Sequence, residues 1–379
     1  MSLSSAKQIL GWPGHRLSEG YRARDLPSLA LARIRGLSAQ SWEEDLNQRE
    51  TAAQVRTMRS TPRTLFLEVT GRCPIVCLMC ARRYRTWQFG DLDEAVFERL
   101  TGVFPRVRMV VLGGFGEPLV AERFDDWFDR LSSLRANVAL QTSGYRLTEE
   151  RAARLVAGGL KHLHISIDSP EEETYRTIRP RIVFQDVTAR IRQIVRLKRE
   201  ASSALPAVHV VFVAMRRNVE QLPAMVDFVA DLGADNLTVQ YVVVHSEDLR
   251  EESLFYHQDL GNRMLDAAEA RAAERGLNVA LPARFGAAAG ESSSICTDPW
   301  QVAYIRWNGE FRPCCYAPSS VVMGDLKEQS FWRIWNGPIY QELRRRVNSG
   351  YPPVYCQRCT MGRMCGVDAE SAHILIAPD

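Results

Sequence analysis

The sequence predicts an α/β protein built on a parallel sheet, followed by a smaller cysteine-rich region. Short apolar runs alternate with longer amphipathic stretches between residue 65 and about residue 280, which is the pattern of successive βα units. Six of the nine cysteines lie after residue 285, where this alternation has ended. The six runs are LFLEV, VRMVVL, VALQ, HLHISI, VHVVFV and LTVQYVVV, beginning at residues 65, 107, 138, 162, 208 and 237.

We expect three regions along the chain. Residues 1–62 carry helical patches that stop at Pro62 and are interpreted as a helical N-terminal extension. Residues 63–285 hold the six βα units, and the small polar stretch GAAAGESSS leads into the C-terminal region, residues 286–379. In that region VAYIRW and EFRPCC flank Asn308-Gly309, which predicts a hairpin with a type I′ turn and cysteines on its second strand. Two helical pieces should follow, broken near Gly337-Pro338.

The composition indicates a soluble globular protein. Hydrophobic residues make up 46% of the 379 residues and charged residues 25%, without an apolar run of the roughly 18 to 20 residues that span a bilayer. The formal charge of +3 and the absence of a basic block argue against nucleic acid as partner. The N-terminus is a poor signal peptide, so a cytoplasmic location is expected. Since disulfides are rare there, the nine cysteines suggest metal ligation.

Three cysteines lie directly after the first predicted strand. Cys73, Cys77 and Cys80 have the spacing C-x3-C-x2-C. A 4Fe-4S cluster held by three cysteines keeps one iron open, whereas a structural zinc site is closed by a fourth ligand. A zinc knuckle or unrelated buried cysteines are the alternatives for this segment.

This motif, in a loop after the first strand, resembles the radical S-adenosylmethionine (SAM) superfamily. The resemblance implies a partial (β/α)6 radical SAM barrel and a 4Fe-4S cluster whose open iron binds SAM. It further implies a 5′-deoxyadenosyl radical that abstracts hydrogen from the substrate. Met79 departs from the pattern, because the family usually has an aromatic residue before the third cysteine.

Further family features follow in order along the chain. The segment from Gly113 to Pro118 is similar to the family's Gly-Gly-Glu-Pro element, and Gln141-Thr142-Ser143-Gly144 resembles its Thr-Asn-Gly turn. Polar residues around the fourth strand resemble ribose and carboxylate contacts. Taken singly, each of these residues could equally serve in a turn or a cap. The residues that the resemblance assigns to SAM binding are Gly114, Gly116, Glu117, Ser143, Ser166, Asp168 and Arg179.

A second cysteine group lies near the C-terminus and resembles the twitch domain and its longer relative, the SPASM domain. Four ligands in two pairs suffice to close an auxiliary 4Fe-4S cluster. The longer domain requires further cysteines, but Ala369 stands four positions beyond Cys365, so one auxiliary cluster is predicted. A zinc ribbon is the alternative. The predicted auxiliary ligands are Cys296, Cys314, Cys356 and Cys359.

Two cysteines remain outside this assignment. Cys315 adjoins a predicted ligand and could pack as a small apolar residue. Cys365 could be structural, a cluster ligand, or a thiol that donates a hydrogen atom to a substrate radical, and the last role would make the protein an epimerase.

A closed auxiliary cluster can accept an electron from a substrate radical, which favours dehydrogenation. The spacing of the C-terminal cysteines resembles that of the radical SAM dehydrogenases that oxidise a secondary alcohol of an aminocyclitol to a ketone. The resemblance implies an oxidoreductase acting on a sugar or aminocyclitol in antibiotic biosynthesis, supplied with electrons by a flavodoxin or ferredoxin-type reductant. Tyr241 and His245 lie near a predicted strand end and, with Cys365, are the candidate catalytic residues.

Other outcomes stay open. The same architecture serves epimerisation or loss of water from a carbohydrate diol, and SPASM enzymes also modify ribosomal peptides. The short helical extension favours a small substrate over a peptide. A non-catalytic iron-sulfur electron carrier is disfavoured by the complete set of apparent SAM contacts.

Overall fold

A computed structural model describes most of the chain between residues 39 and 359. No helix in the described part is long and apolar enough to cross a membrane. The predicted linker GAAAGESSS, all but its first residue, and Cys365 lie outside the described residues. The described residues are 39–84, 87–286, 295–315, 317–357 and 359.

The predicted parallel sheet is confirmed, and all six apolar runs form strands. They are β1 Thr64–Leu67, β2 Met109–Leu112, β3 Val138–Thr142, β4 His162–Ser166, β5 Ala207–Ala214 and β6 Asn236–Tyr241. These strands pair in parallel in chain order. Further strands extend the sheet at both edges: β7 Asn278–Ala280, β8 Val302–Ile305, β9 Glu310–Arg312 and β10 Gly324–Asp325. Among the described residues the order is β10-β9-β8-β1-β2-β3-β4-β5-β6-β7.

Helices alternate with the strands, as the amphipathic stretches predict. Thr148 begins one of them by accepting a hydrogen bond from the Arg151 amide, and Gly233 ends another with a φ of 74°. The helices are α1 Ala39–Ala52, α2 Glu94–Glu98, α3 Phe124–Ser133, α4 Glu149–Ala157, α5 Glu172–Ile178, α6 Phe184–Glu200, α7 Leu222–Leu232, α8 Gln258–Arg275, α9 Asp298–Gln301, α10 Phe331–Trp335, α11 Pro338–Arg346 and α12 Val354–Gln357. The predicted break at Gly337-Pro338 separates α10 from α11.

Strand β5 shows how the sequence places the core. Its residues alternate between buried and half-buried along the whole strand, because successive side chains point to opposite faces of a sheet. Val208, Val210 and Phe212 are buried in the main core. The other face carries His209, whose Cα pairs with that of His164 on β4. This second face is half-exposed, and it is polar where His164 and His209 lie.

The C-terminal region continues the sheet. Strand β8 pairs in parallel with β1, so the first and the C-terminal cysteine regions share one sheet. The boundary predicted between residues 285 and 286 adjoins undescribed residues and stays a prediction.

The predicted hairpin forms between β8 and β9, but its turn differs from the prediction. The Arg306 amide donates to the Glu310 carbonyl, which leaves Trp307, Asn308 and Gly309 as a three-residue loop. Gly309 has a φ of 91° and Asn308 has a negative φ, whereas a type I′ turn needs two positive φ angles. Cys314 lies past the end of β9, so the prediction of cysteines on the second strand is also wrong.

The described part of the N-terminal extension belongs to the fold. Asn47 on α1 is fully buried and donates to the carbonyls of Thr61 and Trp300, at 2.9 and 2.8 Å. Glu43 pairs with Arg106 in a buried ion pair. Residues 39–61 thus join the barrel to the C-terminal region, and this packing role does not discriminate between substrate classes.

Candidate active site

The loop after β1 holds Cys73, Cys77 and Cys80, each half-buried. The loop is fixed by one bond to another segment and one within itself: the Leu78 amide donates to the Ile178 carbonyl at 2.9 Å, and Arg82, two residues after Cys80, donates to the Cys73 carbonyl at 3.2 Å. The three thiols are therefore carried on a backbone that is anchored on both sides.

The three thiols interact electrostatically. Burial raises the pKa of Cys73, and it raises the pKa of Cys77 to about 11. The neighbouring Cys80 thiol adds to both shifts. In the described ranges, no three His, Cys, Asp or Glu side chains lie close enough to hold a single metal ion. A cubane cluster takes its thiolates on separate irons, and the three thiols of this loop are the donors that it would need.

Arg179 connects the fourth strand to this loop. Its Nε lies 2.5 Å from Oδ2 of Asp168, which is fully buried, and its Nη1 donates to Sγ of Cys77 at 3.3 Å. The other oxygen of Asp168 accepts from the Val213 amide at 2.9 Å. Asp168 and Arg179 therefore hold the end of β4 against a predicted cluster ligand, and both Asp168 oxygens already accept hydrogen bonds.

The glycine-rich loop after β2 packs against the cysteine loop. A Cβ on Gly116 would lie 1.9 Å from the Thr70 carbonyl oxygen, so only glycine fits this backbone. Next to it, the Glu117 amide donates to the Arg72 carbonyl at 2.9 Å. The loop and the cysteine segment thus meet through backbone contacts.

Glu117 ties the loops after β2 and β3 together. Its carboxylate accepts from the Thr142 hydroxyl at 2.5 Å and from the amide and hydroxyl of Ser143 at 2.8 and 2.6 Å. Burial raises the pKa of Glu117, because the charged form is desolvated. Ser143, which replaces the family's asparagine, supplies two of these bonds. Ser166 lies half-buried at the end of β4.

A buried acid that the sequence interpretation missed lies beside the glycine loop. Glu68 directly follows β1, and its Oε1 accepts from the Phe115 amide at 3.0 Å and from the Tyr304 hydroxyl at 2.6 Å. Arg306 lies 3.5 Å from its other oxygen and stacks over Trp87 at 5.3 Å. The signal was available, because Glu68 interrupts the apolar run LFLEV with a charge at the carboxyl end of a strand.

Three of the predicted auxiliary ligands lie near one another. Burial is the main cause that raises the pKa of Cys296 and of Cys356 to about 12, and the nearby Cys359 thiol contributes to both shifts. Asn348 fixes Cys296 by accepting from its amide at 2.9 Å and donating to its carbonyl at 3.1 Å. Cys314 acts electrostatically on Tyr340 and Tyr355. The Cys315 thiol interacts electrostatically with Tyr304 instead, and Tyr304 is hydrogen-bonded to Glu68.

The candidate catalytic residues are placed differently from one another. The Tyr241 hydroxyl donates to the Ala283 carbonyl at 2.9 Å, and its ring packs on Phe285. This bond commits the hydroxyl to a structural contact. His245 is half-buried in the segment after β6. Cys365 lies outside the described residues, and its role stays a prediction.

Comparison with known proteins decides the family. Residues 67–251 match the radical SAM superfamily, and residues 296–360 match the SPASM iron-sulfur cluster-binding domain. The chain carries a radical SAM domain and a SPASM domain. The first implies a 4Fe-4S cluster with SAM, and the second implies auxiliary iron-sulfur binding. The anchored thiols of both cysteine groups suit such clusters, and the number of auxiliary clusters remains a prediction.

Two curated relatives cover most of this radical SAM protein. The tungsten-containing aldehyde ferredoxin oxidoreductase cofactor-modifying protein of Pyrococcus furiosus is 26% identical over 79% of this chain and 88% of its own. The PqqA peptide cyclase of Gluconobacter oxydans is 24% identical over 80% of this chain and 84% of its own.

Solved structures share the fold. SuiB of Streptococcus suis with bound S-adenosylmethionine superposes with a TM-score of 0.65 at 15% identity, covering 86% of this chain and 80% of its own. Native anSMEcpe with bound AdoMet gives a TM-score of 0.60 at 14% identity, covering 80% of this chain and 88% of its own. At this identity the likeness supports the predicted fold class alone.

Proposed function

We propose that this radical SAM and SPASM protein modifies a peptide by radical chemistry. The observation that carries the proposal is the similarity to PqqA peptide cyclase, which extends over 80% of this chain and 84% of the relative and so reaches beyond the radical SAM domain alone. A second PqqA peptide cyclase, from Granulibacter bethesdensis, is 24% identical over 79% of each chain. Peptide modification, one of the alternatives that the sequence left open, thus becomes the main proposal.

The predicted oxidation of a sugar or aminocyclitol has less support. Of the three relatives cited here that cover most of the chain, two are named for a peptide and one for modification of a metalloenzyme cofactor. The short N-terminal extension favoured a small substrate in the sequence interpretation, but its described part, residues 39–62, serves packing, with Asn47 bonded into the C-terminal region.

In this proposal the cysteine loop would bind the cluster, and Arg179 supports the loop. Cys73, Cys77 and Cys80 would hold the cluster, which with SAM supplies a 5′-deoxyadenosyl radical able to abstract hydrogen from the substrate. Arg179 donates to Cys77 and keeps β4 in place beside it.

The auxiliary ligands complete the assignment. Cys296, Cys356 and Cys359, with Cys314, would hold a closed auxiliary cluster that takes up or returns an electron. An electron sink of this kind suits oxidative crosslinking of a peptide, whereas a redox-neutral change would not need it.

The polar face of the sheet offers groups for a peptide. The register aligns Gln141, His164, His209 and Asn236 across four strands. Amide and imidazole groups both donate and accept hydrogen bonds, as a peptide backbone requires.

The proposal is tested by substrate-stimulated SAM cleavage. Reconstituted, dithionite-reduced protein is incubated anaerobically with SAM and a size-fractionated extract of the source organism, before and after protease treatment of the extract. We expect a fraction that stimulates 5′-deoxyadenosine formation and loses this effect on proteolysis. Stimulation by a protease-resistant small-molecule fraction would favour the carbohydrate alternative and contradict the peptide proposal.

A further inference from the structure

The carboxylate of Glu68 joins the glycine loop to the C-terminal region. Its Oε1 accepts hydrogen bonds from the Phe115 amide and the Tyr304 hydroxyl. Phe115 belongs to the loop assigned to SAM, and Tyr304 lies on β8, inside the residues that match the SPASM domain. One oxygen atom therefore connects the two halves of the protein.

The loop is also shaped around this pair. Gly114 has a φ of 142°, and a Cβ on it would lie 2.4 Å from Cγ of Glu68 and 2.6 Å from the Tyr304 hydroxyl oxygen. The backbone of the glycine loop thus rests directly on Glu68 and Tyr304. Any shift of Tyr304 reaches the loop through van der Waals contact as well as through the carboxylate.

We propose that Glu68 and Tyr304 are positioning residues through which the SPASM domain holds the SAM-binding loop in its binding geometry. The proposal depends on SAM as cofactor and is independent of the peptide substrate. It explains why a carboxylate is buried here at a solvation cost, since both hydrogen bonds that the described residues give its side chain lead to these two partners.

Three variants separate the contributions. Tyr304→Phe removes one hydrogen bond and keeps the ring, whereas Glu68→Ala removes both bonds. Glu68→Gln keeps both hydrogen bonds, because a single amide oxygen can accept from the Phe115 amide and the Tyr304 hydroxyl together, but it loses the ion pair with Arg306. The matched control is Tyr340→Phe, since Tyr340 is also fully buried in the C-terminal region and donates to the Arg312 carbonyl at 3.3 Å.

The readouts are the SAM dissociation constant, measured by equilibrium dialysis on cluster-loaded protein, and hydrogen exchange of the peptide covering residues 113–117. We expect Tyr304→Phe to weaken SAM binding about fivefold and Glu68→Ala about tenfold or more, as one and two lost hydrogen bonds imply. Both should speed exchange at the loop. Glu68→Gln should lose less SAM affinity than Glu68→Ala, because it keeps both hydrogen bonds and loses only the ion pair with Arg306. Tyr340→Phe should stay within about twofold of the parent protein, although its melting temperature falls.

Contrary outcomes are well defined. Unchanged SAM affinity in both Tyr304→Phe and Glu68→Ala would overturn the proposal. An equal loss in Glu68→Gln and Glu68→Ala would overturn it too, because charge rather than hydrogen bonding would then matter. A matching loss in Tyr340→Phe would reduce the effect to general destabilisation. If Glu68→Ala fails to load its clusters, Tyr304→Phe and the exchange data decide.

Discussion

Nη1 of Arg179 lies 3.3 Å from Sγ of Cys77. The same guanidinium pairs with Asp168, whose side chain is fully buried, so the end of the fourth strand and the cysteine loop share one charged group. Since a donor to sulfur stabilises a thiolate, this contact also favours the ligand form of Cys77. The resemblance to the radical SAM superfamily assigned Arg179 to SAM binding, and the structure adds its contact with the cysteine loop.

Replacing Arg179 should destabilise the protein strongly. Arg179→Ala leaves the Asp168 carboxylate buried without its partner, which we expect to lower the free energy of unfolding by about 3 kcal/mol. Combining it with Asp168→Asn should recover part of this loss, because the unpaired charge is gone. Denaturant unfolding of the protein before cluster reconstitution measures both changes. The control is Arg196→Ala, which removes exposed ion pairs with Glu149 and Glu200. A loss as small as that of the control would contradict this role.

Gly116→Ala should abolish the glycine loop geometry. The added methyl would meet the Thr70 carbonyl oxygen at 1.9 Å, so the backbone must move and SAM binding should fall at least about tenfold. Gly102→Ala is the matched control, since nothing lies within 4 Å of its Cβ position. Equilibrium dialysis with SAM compares the two variants. Equal affinities would show that the loop does not need this close approach.

A histidine cluster on the polar face should make the protein acid-sensitive. Nδ1 of His162 lies 2.9 Å from Nε2 of His209, and His164 stacks on His209. Burial comes first among the causes that lower the pKa of both His164 and His209 to about 4. The charged groups that act on this cluster are Arg108, Lys161, Lys198 and Asp235.

The sign follows from the pKa values. Between the unfolded value near 6.5 and the folded value of about 4, the unfolded chain binds more protons, so stability falls as pH falls through this window. His164→Asn should flatten the dependence of melting temperature on pH there, because one of the two histidines with a lowered pKa is gone. An unaltered slope in His164→Asn would contradict the assignment.

The auxiliary cysteines can be tested by iron content. Parent protein should bind about eight irons per chain, and the double variant Cys356→Ala, Cys359→Ala should bind about four while keeping the first cluster. Cys315→Ala is the control, because the Cys315 thiol interacts with Tyr304, which is hydrogen-bonded to Glu68. Loss of four irons in Cys315→Ala would instead make Cys315 a ligand.

The sequence was sufficient where periodicity and spacing dominate. The alternation in β5 and the position of Cys73, Cys77 and Cys80 after β1 were predictable, because burial and strand ends leave local signals. Contacts between distant segments leave none. The bond from Tyr304 to Glu68 spans 236 positions, and no local pattern records it.

The turn at Asn308-Gly309 shows a second limit. Its dipeptide favours a two-residue turn, but the register of β8 with β9 adds Trp307 to the loop. The Trp307 side chain packs closely against Gly71 and Gly90, in the space that a Cβ atom on either glycine would need. The turn residues alone predicted a two-residue loop, whereas the observed loop has three residues and its Trp307 makes tertiary contacts.

The most direct test of the account is SAM cleavage by reduced, reconstituted protein under anaerobic conditions, comparing the parent with the triple variant Cys73→Ala, Cys77→Ala, Cys80→Ala. We predict 5′-deoxyadenosine from the parent and none from the variant, while the variant retains the iron of its auxiliary site. Continued 5′-deoxyadenosine formation by the triple variant would contradict the assignment of these cysteines as the SAM-cleaving centre.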